Sequence, residues 1–287
     1  MVSYGMAFTT LISTAALALH LDDNAFAIVD CRMKLDDESW GAREHKAAHI
    51  PGAVYADLNR DLSSPQTGTN GRHPLPDPAA LAARFGQLGI ASGVQVVAYD
   101  QDNGMFASRL WWLLRWLGHD AVAVLDGGLA KWRAEGRPVV GGETRRDARA
   151  FTAASRNDMR VDAATVAQRA GSREWRLVDA RAPERFRGEV EPLDRVPGHI
   201  PGAKNYFFEG NVDAQGTFRT PEALRDRLRA AIGPAAIEDL ICYCGSGVTA
   251  CHNLLALEHA GLPGAKLYPG SWSEWCSDAT RPIATGA

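Results

Sequence analysis

The sequence predicts an α/β fold in two tandem copies, each a central parallel sheet flanked by helices, and three observations lead there. Segments of the first half return in order in the second. His49-Ile50-Pro51-Gly52-Ala53 recurs as His199-Ile200-Pro201-Gly202-Ala203, Val29-Asp30-Cys31-Arg32 as Val178-Asp179-Ala180-Arg181, and Gly127 with Trp132 as Gly270 with Trp275. The interval is far longer than the roughly 20–50 residues of a solenoid repeat, so a whole domain has been duplicated. Within each half, short β-rich runs alternate with helical patterns, the signature of parallel strands joined by crossover helices. At 287 residues the chain also exceeds the size of one ordinary core, which favours two domains.

The first domain is expected over 1–140. Thr10 to Leu21 is apolar but lacks a preceding Lys or Arg and runs into Asp22 and Asp23. It therefore predicts a helix capped by Ser13 rather than a secretion signal. Strands are expected at Phe26 to Asp30, Val94 to Tyr99 and Ala121 to Leu125. Asp77-Pro78 opens a helix running to Leu88, and Met105 to Leu117 forms another whose Trp111, Trp112 and Trp116 pack inward. Residues 141–160 carry many charges without apolar periodicity and read as a linker. The second domain, 161–287, predicts strands at Arg176 to Asp179 and Leu240 to Tyr243, with helices at Pro221 to Ile232 and Thr249 to His259.

Composition narrows the function classes. A hydrophobic fraction of 46%, a charged fraction of 23% and a net charge of −3 describe an ordinary globular protein with no field to attract nucleic acid. No segment reaches the roughly 20 apolar residues of a membrane span. Cys31, Cys242, Cys244, Cys251 and Cys276 form an odd, unevenly spread set. They suggest a reducing, cytoplasmic setting rather than a disulfide framework.

The two halves differ after their matching central strands. The first ends Tyr99-Asp100 and the second Tyr243-Cys244, so only one half carries a thiol there. Ligands of parallel sheets gather beyond the carboxyl ends of strands, which marks Cys244 as the reactive candidate. The loop Cys244-Gly245-Ser246-Gly247-Val248-Thr249 leads into a helix expected to start at Thr249. Its amides and the helix N-terminus, worth roughly half a positive charge, are placed to stabilise an anion such as a thiolate. The first half, with Asp100 in place of the thiol, is expected to be non-catalytic.

The repeated H-I-P-G-A boxes, the D-G-G…W and G-S-W-S-E-W segments and the C-G-S-G-V-T loop resemble the two-domain rhodanese sulfurtransferases over nearly the whole chain. The loop looks like that of the branch acting on 3-mercaptopyruvate, whereas thiosulfate sulfurtransferases of this architecture typically carry Arg and Lys at the positions of Gly245 and Ser246. The resemblance implies that Cys244 accepts sulfur as a persulfide, with Gly245, Gly247, Val248 and Thr249 forming the loop around it. It implies no metal or organic cofactor. The sulfur donor is a small molecule, and the acceptor is cyanide or a thiol such as thioredoxin. Arg185 matches a substrate-binding arginine of the family. A second such arginine is replaced by Leu193, leaving Arg195 as the expected substitute. His73, in Gly71-Arg72-His73-Pro74, matches a histidine that relays to the loop serine, Ser246. The relay's aspartate falls at Asn59, with Asp57 and Asp61 on either side as candidates.

Four other classes fit the sequence less well. A cysteine phosphatase needs an arginine six positions after its nucleophile, where this chain has Ala250. Cys242, Cys244, Cys251 and His252 lack the second matching pair of a zinc site. The loop lacks the G-K-[ST] ending of a phosphate loop. A non-catalytic binding module suits the first half but not a second half that retains its thiol.

Overall fold

A computed structural model describes residues 7–170 and 175–286. The chain folds as two compact units. The first holds the described residues up to Leu62, Pro76–Arg156 and Ala214–Phe218; the second holds Ser63–Leu75, Asn157–Asp213 and the chain from Arg219 onward.

In the first unit the elements run β1 (Leu11–Ile12), α1 (Thr14–Ala18), β2 (Phe26–Asp30), α2 (Trp40–Ala47), β3 (Val54–Tyr55), α3 (Pro78–Gln87), β4 (Gln95–Tyr99), α4 (Ala107–Trp116), β5 (Val122–Leu125) and α5 (Gly128–Ala134). The strands form one parallel sheet in the order β1-β5-β4-β2-β3. Its central strands are apolar runs buried on both faces, as parallel sheets require. Asp77 caps α3 by accepting the amides of Ala79 and Ala80, with Pro78 in the first helical turn.

The N-terminal helix is shorter than the sequence predicts. Ser13 does cap it, accepting the Ala16 N–H at 3.1 Å. The residues before Ser13, however, form an edge strand in register with Val124 and Leu125. Thr10 and Ile12 favour extended backbone, and their carbonyls accept the amides of Val124 and Asp126. Residues 141–156, read from the sequence as linker, lie along the first unit. Arg149 N–H bonds the Gly86 carbonyl, and the Ala154 and Arg156 amides bond those of Leu117 and Trp116.

The second unit runs α6 (Ala163–Arg169), β6 (Arg176–Asp179), α7 (Pro183–Phe186), β7 (Lys204–Asn205), α8 (Pro221–Ile232), β8 (Leu240–Tyr243), α9 (Thr249–His259), β9 (Lys266–Leu267) and α10 (Ser271–Trp275). Its parallel sheet has the order β7-β6-β8-β9. A counterpart of β1 survives only as a parallel bridge between Arg160 and Leu267. Thr220 and Pro221 open α8, which buries Leu224, Leu228 and Ile232 along one face. Among the described residues no helix is long and apolar enough to cross a membrane.

The repeated motifs have a structural reason. Asp30 and Asp179 end matching strands fully buried, each gripping the guanidinium two residues on, Arg32 or Arg181. Arg32 then donates to the Ala48 carbonyl and Arg181 to that of Gly198, so each pair ties its strand to the H-I-P-G turn. The Ile50 and Ile200 amides reach the hydroxyls of Tyr99 and Tyr243. His49 and His199 each bind a backbone carbonyl through Nδ1, that of His45 or of Phe186. Both histidines thus fasten turns.

Candidate active site

Cys244 stands one residue past β8, and the loop after it is clamped by backbone. The Trp272 amide donates to the Cys244 carbonyl and the Ser273 amide to the Gly245 carbonyl, both at 2.9 Å. At Gly247 the chain turns with φ +76, and an added Cβ would lie 2.3 Å from the Pro269 carbonyl oxygen. Only glycine fits there. That turn points the Gly247 N–H at Cys244 Sγ, 3.2 Å away, just before α9 begins. Cys244 is 2% exposed, so its sulfur sits in a shielded cradle with an amide donor aimed at it.

The first unit shows what this loop geometry holds. Asp100, at the matching position, accepts the amides of Asp102 and Gly104 on one oxygen and those of Phe106 and Ala107 on the other, at 2.7–3.2 Å. Burial pushes its carboxyl up while the amides pull it down. The first unit thus surrounds a carboxylate with backbone amides at the position where, in the second, the Gly247 amide meets a sulfur.

The other four cysteines are unsuited to nucleophilic work. Burial pushes the Cys31 and Cys242 thiols up. Burial, then the charge of Asp194, takes Cys276 to about 11. Cys251 is buried and donates its S–H to the Gly247 carbonyl at 3.2 Å.

Ser246 and His73 come together: His73 Nδ1 lies 2.7 Å from Ser246 Oγ, both groups nearly covered. His73 rides on the 63–75 excursion, closed at its neck by Ser64 N–H to the Pro74 carbonyl and Ser64 Oγ to the Leu75 carbonyl. Gly71, with φ +83, lets this strap approach the Gly270 carbonyl, and the Arg72 amide then donates to Ser273 Oγ at 3.0 Å. Asp57 and Asp61 belong to the first unit and have local work. Asp57 accepts the amides of Asn59 and Arg60. Asp61 accepts the Asp57 amide and pairs with Arg60 and Arg84.

Of the two expected arginines, Arg185 reaches the loop and Arg195 is exposed. Arg185 Nη2 pairs with Glu191 at 2.6 Å and with Asp194 at 3.4 Å. Its terminal nitrogens lie 3.6 Å from where a Cβ on Gly245 would be. The guanidinium beside Arg185 is that of Arg72, bound to Asp194 from the other side. Sequence reading passed over Arg72, although it adjoins His73. It also passed over Asp194, whose carboxyl burial pushes up against the pull of Arg72.

Ser271 was missed too. It is the single described non-glycine residue with positive φ, at 55, and Gly128 holds the matching position in the first unit with the same angle. This backbone costs a residue with a Cβ about 1–2 kcal/mol. What the serine supplies is a buried hydroxyl that accepts the Cys244 amide at 3.1 Å and donates to the Tyr268 carbonyl at 2.9 Å. Ser271→Gly relieves the strain and loses those bonds, so folding stability should move by less than about 1 kcal/mol. Turnover should fall about tenfold as the Cys244 backbone loosens. Denaturant unfolding beside steady-state kinetics checks this, and unchanged turnover contradicts it.

A family model for the rhodanese-like domain matches the chain twice, over residues 13–135 and 162–278. A Pseudomonas aeruginosa protein named as a probable 3-mercaptopyruvate sulfurtransferase is 48% identical over 283 residues, 98% of this chain and 100% of that protein. A Mycobacterium tuberculosis protein provisionally named a thiosulfate sulfurtransferase is 40% identical over 281 residues, 96% of this chain and 97% of that one. Among solved structures, Escherichia coli SseA, described with a rhodanese fold and 3-mercaptopyruvate chemistry, matches with a TM-score of 0.80 at 34% identity, covering 92% of this chain and 99% of that one.

Proposed function

The chain belongs to the rhodanese-like family, and from that membership we propose that it is a sulfurtransferase moving sulfur from 3-mercaptopyruvate to a thiol or cyanide through a persulfide on Cys244. The observation that carries this reading is the Cys244 cradle itself, with the Gly247 N–H on Sγ at 3.2 Å and Ser246 joined to His73 at 2.7 Å.

In the first half-reaction the Cys244 thiolate attacks the donor sulfur. A sulfur–sulfur bond forms, the donor's carbon–sulfur bond breaks, and its electron pair passes into the enolate of pyruvate. The donor's thiol proton replaces the one the enolate carbon takes up, so pyruvate and a Cys244 persulfide anion remain. Ser246, oriented by His73, donates a hydrogen bond to the enolate oxygen as charge develops there. Arg185 receives the carboxylate and aligns the sulfur with the thiolate. The Gly247 amide then steadies the persulfide. In the second half-reaction a thiol, thioredoxin or cyanide attacks the outer sulfur and frees Cys244, which gives ping-pong kinetics. The residues named here complete the cycle with the covalent persulfide as its sole carrier. All five cysteines are free, which supports a reducing setting such as the cytoplasm.

Thiosulfate is the second donor, because it delivers the same kind of sulfur to the same thiolate and a relative at 40% identity is named for it. Gly245 and Ser246 bring no cation to its second charge, so it should be the slower substrate. With cyanide as acceptor, kcat/KM for 3-mercaptopyruvate should exceed that for thiosulfate by at least about tenfold. The reverse order would assign the enzyme to thiosulfate.

A further inference from the structure

We propose that the first unit carries a ligand site of its own, a cleft bordered by His45 and four arginines that takes a phosphate group. The site lies wholly within that unit and takes no part in sulfur transfer.

The duplication singles out His45. In the second unit His199 stacks on Phe186 with ring centroids 3.8 Å apart and bonds the Phe186 carbonyl. In the first, His49 stacks on His45 at 4.0 Å and bonds the His45 carbonyl. One place in the fold is thus filled by phenylalanine in one copy and by histidine in the other, so packing does not call for an imidazole. Nor does Asp30 need it as a counter-charge, because Arg32 grips Asp30 at 2.7 Å just as Arg181 grips Asp179. His45 is 6% exposed, and its Nδ1 lies 3.0 Å from Asp30 Oδ2. That contact fixes the ring and leaves Nε2, which has no hydrogen-bond partner among the described residues, as the nitrogen a ligand can meet. The ring borders a cleft of about 530 Å³, within the size range of small-molecule sites, whose wall includes Tyr55, Arg60, Arg84, Arg145 and Arg146.

The cleft holds more cation than its own acids offset. Arg60 and Arg84 share a single carboxylate, Asp61, each at 3.0 Å. Arg145 pairs with Glu143 at 3.4 Å, whereas Arg146 meets no acid among the described residues and gives Nη2 to the Asn24 carbonyl. Burial and the neighbouring Arg149 push the Arg146 guanidinium down, as expected of a cation left without an anion. Four guanidiniums therefore stand against two carboxylates. A phosphate dianion matches that excess and the geometry of guanidinium donors, where a monocarboxylate would leave one charge uncompensated. The wall is held by backbone. Gly142 N–H bonds the Lys46 carbonyl, Arg149 N–H bonds that of Gly86, and Thr144 Oγ1 meets His49 Nε2 at 2.8 Å. Gly89, with φ +74, makes room for Arg146, whose side chain would lie 2.7 Å from an added Cβ.

Calorimetric titration of the full chain with inorganic phosphate, with acetate as the monoanion control, tests the site, alongside NMR of the His45 imidazole. Phosphate should bind saturably, at least about tenfold tighter than acetate, and shift the His45 signals. His45→Phe and Arg146→Gln should each weaken phosphate about tenfold and leave turnover of 3-mercaptopyruvate within about twofold of wild type. Phenylalanine is what the second unit packs at this place, so His45→Phe should fold, and Arg146→Gln decides the matter if it does not. Glycerol 3-phosphate identifies the source of the group: tighter binding than inorganic phosphate supports a site for phosphate esters, weaker binding a site for the free ion. If His45 serves only to neutralise Asp30, His45→Phe will lower the urea midpoint and leave phosphate affinity within about twofold of wild type, which overturns the proposal. So does phosphate that binds no tighter than acetate, or an affinity that Arg146→Gln leaves unmoved.

Discussion

Replacing Cys244 with serine should lower sulfur transfer by at least about a thousandfold and leave the fold intact. A serine hydroxyl is not ionised near neutral pH, and an oxygen on residue 244 cannot hold the sulfane sulfur as a persulfide. The side chain is nearly isosteric, and the Gly247 amide that meets Sγ has an oxygen to donate to in the variant. Stability should therefore stay within about 1 kcal/mol of wild type. Cyanide-coupled turnover and denaturant unfolding measure the two halves of this expectation. Residual transfer near the wild-type rate would mean that the sulfur travels elsewhere. The other cysteines offer no easy detour, because burial suppresses ionisation of Cys31, Cys242 and Cys276.

The second large effect concerns stability. Asp179 is fully buried at the end of β6 and accepts the Arg181 amide as well as its guanidinium. Burial pulls the Arg181 guanidinium down, but Asp179, with smaller help from Tyr243 and Glu191, outweighs it and holds the group charged. Arg181 in turn bonds Glu191, and Glu191 bonds Arg185. Asp179→Asn leaves a buried cation without its main counter-charge, a change that costs about 3–5 kcal/mol. The same variant should also raise KM, since the chain of pairs that orients Arg185 loses its anchor. Asp30→Asn should weaken the first unit comparably through Arg32, yet leave KM near wild type in protein that remains folded. Urea unfolding of both variants decides the matter, and a loss below about 1 kcal/mol for Asp179→Asn would show that Glu191 alone compensates Arg181.

What could be read from the sequence was whatever repeats or lies on consecutive residues. The duplicated boxes marked the tandem sheets because each box is one end of a buried ion pair or a turn fastened to it, as with Asp179, Arg181 and Gly198. The Cys244 loop was legible because strand, glycines and helix follow directly. His73 and Ser246 were joined through resemblance alone, since nothing local signals a contact between residues so far apart in the chain. The rest failed for physical reasons. Leu11 and Ile12 look helical in an apolar run, and only the open edge of β5 makes them a strand. Arg195 stands two residues past Leu193 and is exposed, whereas the guanidinium beside Arg185 comes from Arg72, on a strap that begins far upstream and that nothing near Leu193 signals. Ser271 gave no sign because positive φ at a serine is a property of the fold around it.

The central claim is that Cys244 alone carries the sulfur between donor and acceptor. Intact-mass measurement after brief exposure to 3-mercaptopyruvate, followed by peptide mapping, tests it most directly. The account predicts a gain of one sulfur atom, located on the peptide containing Cys244, absent in Cys244→Ser and removed when cyanide is added. A stable adduct on another cysteine, or turnover with no sulfur gained by Cys244 at any stage, would contradict it.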